Sequence, residues 1–253
     1  VEALSMLHQG RFADALRLAR KALTLRQQVL GRAHLKVAES LNTLGLVLHQ
    51  LVELSEAQTV FEQSLKIREG ILGVTHPSIA ESITNRARVL YAKGQFAEAL
   101  PLLERGLTIR KIAFGSTHPE VAMSLVHLSI VRMQLGDLDH SIQDIEAAVN
   151  ILEHSTPSRP TDLAMALTVL GNVFQRQGKY AAARPSLERS LALRERHLGQ
   201  AHPHVARTLT RLGILTAHMG DLPLALSLLQ RALSITETSV GTKHAEVAGA
   251  LNE

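Results

Sequence analysis

Between Ser78 and Gly115, apolar residues recur at intervals of three and four: Ile79, Ile83, Ala87 and Leu90, then Phe96, Ala99, Leu100, Leu103, Leu107 and Ile109. This rhythm places the apolar side chains on one face of a helix and the intervening polar residues on the other. The segment therefore predicts two antiparallel helices with a turn at Gly94, the second helix longer than the first. A residue that ends a helix often takes a left-handed backbone conformation, which costs glycine little, so Gly94 suits the first helix end and Gly115 the second.

The same pair recurs along the chain. Gly31, Gly73, Gly115, Gly199 and Gly241 lie on one 42-residue grid, with Pro157 at the interrupted position, and His34, His76, His118, His202 and His244 follow three residues later. A second series, Gly10, Gly94, Gly136, Gly178 and Gly220, keeps the period and is interrupted by Val52. Internal repetition of this length predicts an all-α chain, an α-solenoid of antiparallel helix-turn-helix units. About six units would fill residues 1–253 as one array, with junctions near Gly31, Gly73, Gly115, Pro157, Gly199 and Gly241. Pro77, Pro119 and Pro203 follow junction histidines, where a proline at the first helical position loses no intrahelical hydrogen bond. Gly45, Ala87, Ser129, Gly171 and Gly213 form a small column in the first helices, and close helix packing would offset the low helix propensity of its glycines. The half-helices before Gly10 and at Leu251-Asn252-Glu253 suggest a fragment cut from a longer array.

The columns that carry these observations resemble the tetratricopeptide repeat. A small residue in the first helix is followed by Gly94 and Phe96, then by Ala99 in the second helix. The long period and the junction Leu72-Gly73-Val74-Thr75-His76-Pro77 look like the kinesin light chain subtype. The resemblance covers essentially the whole chain. It implies a right-handed α-solenoid in which one phase of the first helices lines a concave groove for extended peptides. The asparagine-rich first-helix signature of kinesin light chains survives at Asn42, whereas Thr84, Val126, Thr168 and Thr210 hold the equivalent positions.

Composition narrows the chemistry. Lys and Arg number 27 against 23 Asp and Glu, so no strong positive field argues for nucleic acid. There is no cysteine, which excludes disulfides and thiolate metal sites. No apolar run approaches the roughly 18 residues of a membrane span, so no membrane insertion is expected and a cytoplasmic setting is. Five of the thirteen histidines belong to the junction series and are separated by whole repeats. Because neighbouring helices stand about 10 Å apart and zinc ligands about 2 Å from the ion, these histidines are expected to cap or pack turns. No His-Glu-x-x-His helix, phosphate-cradling loop or serine elbow occurs. No catalytic residue, cofactor or metal is expected.

A basic column, Arg26, Arg68, Arg110 and Arg194, runs along the second helices with interleaved glutamates such as Glu62, Glu69, Glu104, Glu153 and Glu195. It is expected to form a solvated face whose ion pairs cancel most of its field. The candidate site comes from the phase of the first helices. Residues about 100 to 160° from Leu41, Leu44, Gly45 and Leu48 should face the groove. These are Glu39, Asn42, Leu46 and His49, then Glu81, Thr84, Arg88 and Tyr91, then Met123, Val126, Ile130 and Met133. Met165, Thr168, Asn172 and Arg176, with Arg207 and Ile214, continue the phase. Met123, Val126, Ile130 and Met133 would expose an apolar middle for peptide side chains, and Glu39, Glu81, Arg176 and Arg207 would orient the ligand by charge.

The expected function is a non-catalytic protein-protein interaction scaffold or adaptor binding a protein or peptide partner in the groove. Two alternatives remain: a regulatory or sensor array fused to a nucleotide-binding or protease effector, and a structural element that self-associates end to end. The irregular junction from Glu153 to Asp162, with Pro157 and Pro160 replacing the glycine rule, reads first as ordinary drift of a repeat and otherwise as an altered superhelical step or a contact loop.

Overall fold

The structure is a computed structural model and describes residues 2–240. Gly241, His244 and the half-helix at Leu251-Asn252-Glu253 lie outside the described residues. The repeats pair a shorter first helix with a longer second helix, except that α7 and α8 are both 16 residues long. The first part of the chain, through Ser116, is one compact unit. It contains α1 (Glu2–His8), α2 (Phe12–Leu30), α3 (Leu35–Gln50), α4 (Leu54–Leu72), α5 (Pro77–Ala92) and α6 (Phe96–Phe114). From Thr117 onward a second unit holds α7 (Pro119–Gln134), α8 (Leu138–Glu153), α9 (Pro160–Arg176), α10 (Tyr180–Leu198), α11 (Pro203–His218) and α12 (Leu222–Val240). Within each unit every helix packs on the next, and α3 also meets α5 as α7 meets α9. The described residues form no strand, and no described helix is long and apolar enough to cross a membrane.

The punctuation of the sequence does the expected mechanical work. His34, His76, His118 and His202 stand at helix N-caps, and each accepts through Nδ1 the backbone N–H two residues on: Lys36, Ser78, Glu120 and His204. Each imidazole thereby satisfies one of the donors that a helix start leaves without an intrahelical partner. At the turn inside a pair, Gly94 has φ 75° and Gln95 N–H reaches back to Leu90 O at 2.9 Å. Val52 builds the same turn at φ 63°, with Glu53 N–H donating to Leu48 O at 2.9 Å.

The core lies between the paired helices. The small column of the first helices lets the second helices approach closely. A Cβ placed on Gly171 would stand 2.7 Å from Leu187 Cγ, and one on Gly45 would stand 2.6 Å from Phe61 Cε1. Val37, Leu41, Leu44, Leu48 and Phe61 fill the core of the first unit, whereas Leu187, Leu212 and Leu215 form one cluster of the second. The irregular junction shortens α8 to 16 residues, against 19 in α4, α6 and α10. Arg159 then spans the altered turn, pairing with Asp162 at 2.6 Å and with Glu120 on α7 at 3.1 Å.

Candidate functional site

The inner register of the first unit is formed by α3 and α5. Glu39, Glu81 and Arg88 are exposed, and Leu46, His49 and Tyr91 are partly so. Asn42 is buried, contrary to its expected place on the groove surface. Its amide donates to Glu81 Oε1 at 3.3 Å, and its carbonyl oxygen accepts from Asn85 at 2.9 Å. Glu81 also accepts from Arg68 at 2.9 Å, so this acid is engaged in joining neighbouring repeats. Glu39 is held by Lys36 at 3.1 Å and lies 3.7 Å from Arg26. His49 and Arg88 bring α3 and α5 together. Burial, followed by the charge of Arg88, holds the His49 ring below the ordinary histidine range.

In the second unit, Met123, Ile130, Met165, Asn172 and Ile214 are partly exposed, while Arg176 and Arg207 are exposed. Two hydrogen bonds join three first helices across this face. Arg176 donates to Gln134 at 3.1 Å, linking α9 to α7, and Arg211 donates to Asn172 at 3.1 Å, linking α11 to α9. The buried guanidinium of Arg194 is lowered to about 10, first by burial and then by the charges of Arg211 and Arg207. Three arginines therefore concentrate positive charge where α10 meets α11.

The expected apolar surface is smaller than its sequence phase implied. Val126 is 0% exposed and Met133 only 7%, so neither supplies an open contact surface. Thr84 and Thr168 are buried as well. The physical reason is visible on their shared register. Thr84 accepts from Arg110 on α6 at 3.2 Å, and Thr168 meets Ser190 on α10 at 2.8 Å. This column faces the second helix of its own pair, and Val126 occupies the equivalent place on α7. Tyr91, on the register of Met133, lies 5.2 Å from Phe96 at the start of the following helix.

The basic column is likewise an internal feature. Arg68, Arg110 and Arg194 are 6%, 8% and 9% exposed, which contradicts a fully solvated row. Arg26 donates to Lys36 O and Ser40 Oγ, both at 2.9 Å, and Arg68 donates to Ser78 O and Ser82 Oγ at the same distance. Arg194 repeats the arrangement with His204 O and Thr208 Oγ1. Arg26, Arg68 and Arg194 thus bolt a second helix to the first turns of the next first helix, and Arg110 reaches Thr84 within its own pair. The sequence signal was a hydroxyl column, Ser40, Ser82 and Thr208, 14 residues after the arginines. Glutamates of the second helices do form ion pairs: Glu69 with Arg105 and Glu195 with Arg231, each at 2.6 Å, and Glu153 with Arg189 reach the following second helix, whereas Glu62 pairs with Arg86 on α5 at 3.1 Å and Glu188 with Arg184 on its own helix at 2.7 Å.

Among the described residues, no three His, Asp or Glu side chains gather where they could hold a metal ion.

Comparison with known proteins places this geometry. The family profile described as tetratricopeptide repeat matches residues 3–70, 53–112, 78–156 and 162–248. No curated protein sequence matches the chain. Among solved structures, a point variant of a kinesin light chain-like protein from Podosopora anserina, with nearly identical TPR-like repeats, is 25% identical with TM-score 0.65, covering 79% of this chain and 95% of its own. BtubC (BKLC) from P. vanneervenii is 19% identical with TM-score 0.71 and 92% coverage of both chains. The apo form of RapI is 15% identical with TM-score 0.66, covering 93% of this chain and 95% of its own. These last two similarities concern the fold.

Proposed function

Because the chain belongs to the tetratricopeptide repeat family, we propose that it is a non-catalytic scaffold that receives a peptide segment on the inner faces of its first helices. The family itself supports a protein-protein interaction scaffold in general. The observation that carries the peptide assignment is the face of α7, α9 and α11, where Met123, Ile130, Met165 and Ile214 remain accessible beside Arg176 and Arg207. Partly exposed aliphatic and methionine side chains give adaptable apolar contacts, whereas the guanidinium groups attract acidic residues of a ligand. Hydrogen bonds from Arg176 to Gln134 and from Arg211 to Asn172 hold this face in one arrangement before binding.

In the first unit, Glu39, Leu46, His49, Glu81, Arg88 and Tyr91 supply a more polar surface for the same role. The buried Asn42, Thr84, Val126, Met133 and Thr168 support the helices that present these contacts. Substitution of Ile130 and Ile214 by Asp tests the assignment without entering the deepest core. Affinity capture with mass spectrometry, followed by titration of each recovered protein, should show binding lost while helicity is retained. Capture of the same proteins at unchanged affinity by the double variant would sink the peptide-site assignment.

A further inference from the structure

The seam between α2 and α4 departs from the repeat rule at four polar positions. On this register three later pairs of second helices are bridged, by Glu69–Arg105, Glu153–Arg189 and Glu195–Arg231, while Lys111 and Ala147 hold the two positions in the remaining pair. At α2 and α4 the corresponding residues are Gln27 and Gln63, with no side-chain hydrogen bond between them among the described residues. Two cations join them. Arg32 stands where later repeats carry Val74, Ser116, Ser158 and Gln200, and Lys66 where they carry Thr108, Asn150, Ala192 and Ser234.

These departures coincide with a cleft of about 380 Å³ lined by Gln27, Arg32, Gln63, Lys66 and Ile67, with Val37 and Leu41 beneath. Val37 and Leu41 are buried, so the floor is continuous with the apolar core. Along the helices, Leu30 lies one turn beyond Gln27 and Ile71 one turn beyond Ile67. Leu30 and Ile71 are 41% and 48% exposed, extending the apolar surface past the cleft. Neither Arg32 nor Lys66 has a carboxylate partner among the described residues. At the other end of the seam, Arg20 holds Glu56 at 2.8 Å, so α2 and α4 are fixed on one side and open on the other.

We infer that the α2–α4 seam is a second binding site, which takes an acidic peptide segment by seating an aliphatic side chain over Val37, Leu41 and Ile67 and its carboxylates against Arg32 and Lys66. The glutamines supply amide donors and acceptors to the peptide backbone. Charge complementarity selects the occupant. Two unpaired cations beside an apolar floor favour a ligand with adjacent negative and aliphatic groups, and the absence of an aromatic among the cleft residues removes the stacking platform that single-stranded nucleic acid uses. The site is separate from the first-helix face assigned above and does not depend on it.

Fluorescence anisotropy with a labelled, end-blocked dodecapeptide of alternating Glu and Leu tests the inference. The whole chain should bind this probe and reject the versions in which Lys replaces Glu or Ser replaces Leu. Arg32→Glu with Lys66→Glu should weaken binding at least about tenfold, because like charges then meet the peptide carboxylates. Gln27→Glu with Gln63→Arg introduces the bridge of the three seams that carry one, so it should abolish binding while the thermal midpoint stays level or rises. This second variant decides the matter if the charge reversal prevents folding. Ile130→Asp with Ile214→Asp should leave the probe bound, which separates this site from the first-helix face. No binding at about 1 mM probe, unchanged affinity in either seam variant, or equal Arg32- and Lys66-dependent binding of a twelve-residue oligothymidylate would overturn the inference.

Discussion

Arg68 donates to the hydroxyl of Ser82 at 2.9 Å, and the two residues lie on opposite sides of a joint between consecutive repeats. The same joint uses Arg26 with Ser40 and Arg194 with Thr208. On this register the joint between α8 and α9 carries Leu152 and Ala166, so donor and acceptor are replaced together by apolar residues, both buried. Arg68→Leu should cost about 2 kcal/mol and Ser82→Ala about 1 kcal/mol, because each leaves a buried polar partner without its bond. The double variant should be about 1 kcal/mol more stable than the sum of the single effects predicts. Urea denaturation of the four proteins measures this coupling, and strict additivity would remove the polar bolt from the account of stability.

Val52 offers a stabilising change. Its φ of 63° lies in the left-handed region, where a β-branched side chain is strained, and its side chain is 74% exposed and contributes little packing. Val52→Gly should stabilise the fold by about 1 kcal/mol, moving the thermal midpoint upward by about 2–4 °C. The reciprocal Gly94→Val should lower it. A fall in midpoint on Val52→Gly would show that the entropy glycine loses on folding exceeds the strain it relieves.

Gly45 and Phe61 form a size-matched pair. Ala87 and Leu103 fill the equivalent positions one repeat later, where both side chains are buried. Gly45→Ala would place its new carbon 2.6 Å from Phe61, and overpacking of this kind costs about 1–3 kcal/mol. Adding Phe61→Leu copies the neighbouring pair and should recover part of that loss. Denaturation midpoints that fall further in the double variant would mean that the cavity left by phenylalanine outweighs the relieved contact.

The His49 ring carries a pH dependence of defined sign. Burial and the nearby Arg88 charge lower its folded pKa below the reference of 6.5. Between the folded and unfolded values, the unfolded chain binds more protons, so stability is fully present above the unfolded pKa and declines as pH falls through the folded one. His49→Gln should remove this part of the decline. Arg88→Gln should reduce it and raise the His49 titration seen by NMR. An unchanged His49 titration in Arg88→Gln would exclude the guanidinium as a cause.

Much of the architecture was legible because it rests on backbone requirements. Gly94 needs a left-handed turn, His76 supplies a cap, and Pro77 opens a helix, so each residue announces its place without knowledge of its neighbours. Side-chain destination was harder to read. Asn42 and Thr84 lie only about 100° from core positions Leu41 and Ile83, and their burial depends on Asn85 and Arg110, which approach from other helices. Arg68 looked solvated for the same reason: its charge was obvious, but the carbonyl of Ser78 and the hydroxyl of Ser82 that receive it come from the following helix. Arg176 and Arg207 are exposed and Ile130 is partly so, in keeping with their phase.

The paired change to Leu152 and Ala166 also bears on chain order. Near-identical repeats risk docking on the wrong neighbour while the protein is being made. A misplaced second helix carrying Arg68 or Arg194 would bury its guanidinium opposite an alanine, with no hydroxyl to receive it. Conversely, the α8 end would leave an incoming serine unanswered. This apolar joint would therefore serve as an address within an otherwise repetitive polymer, disfavouring the docking of a polar helix end at this one place.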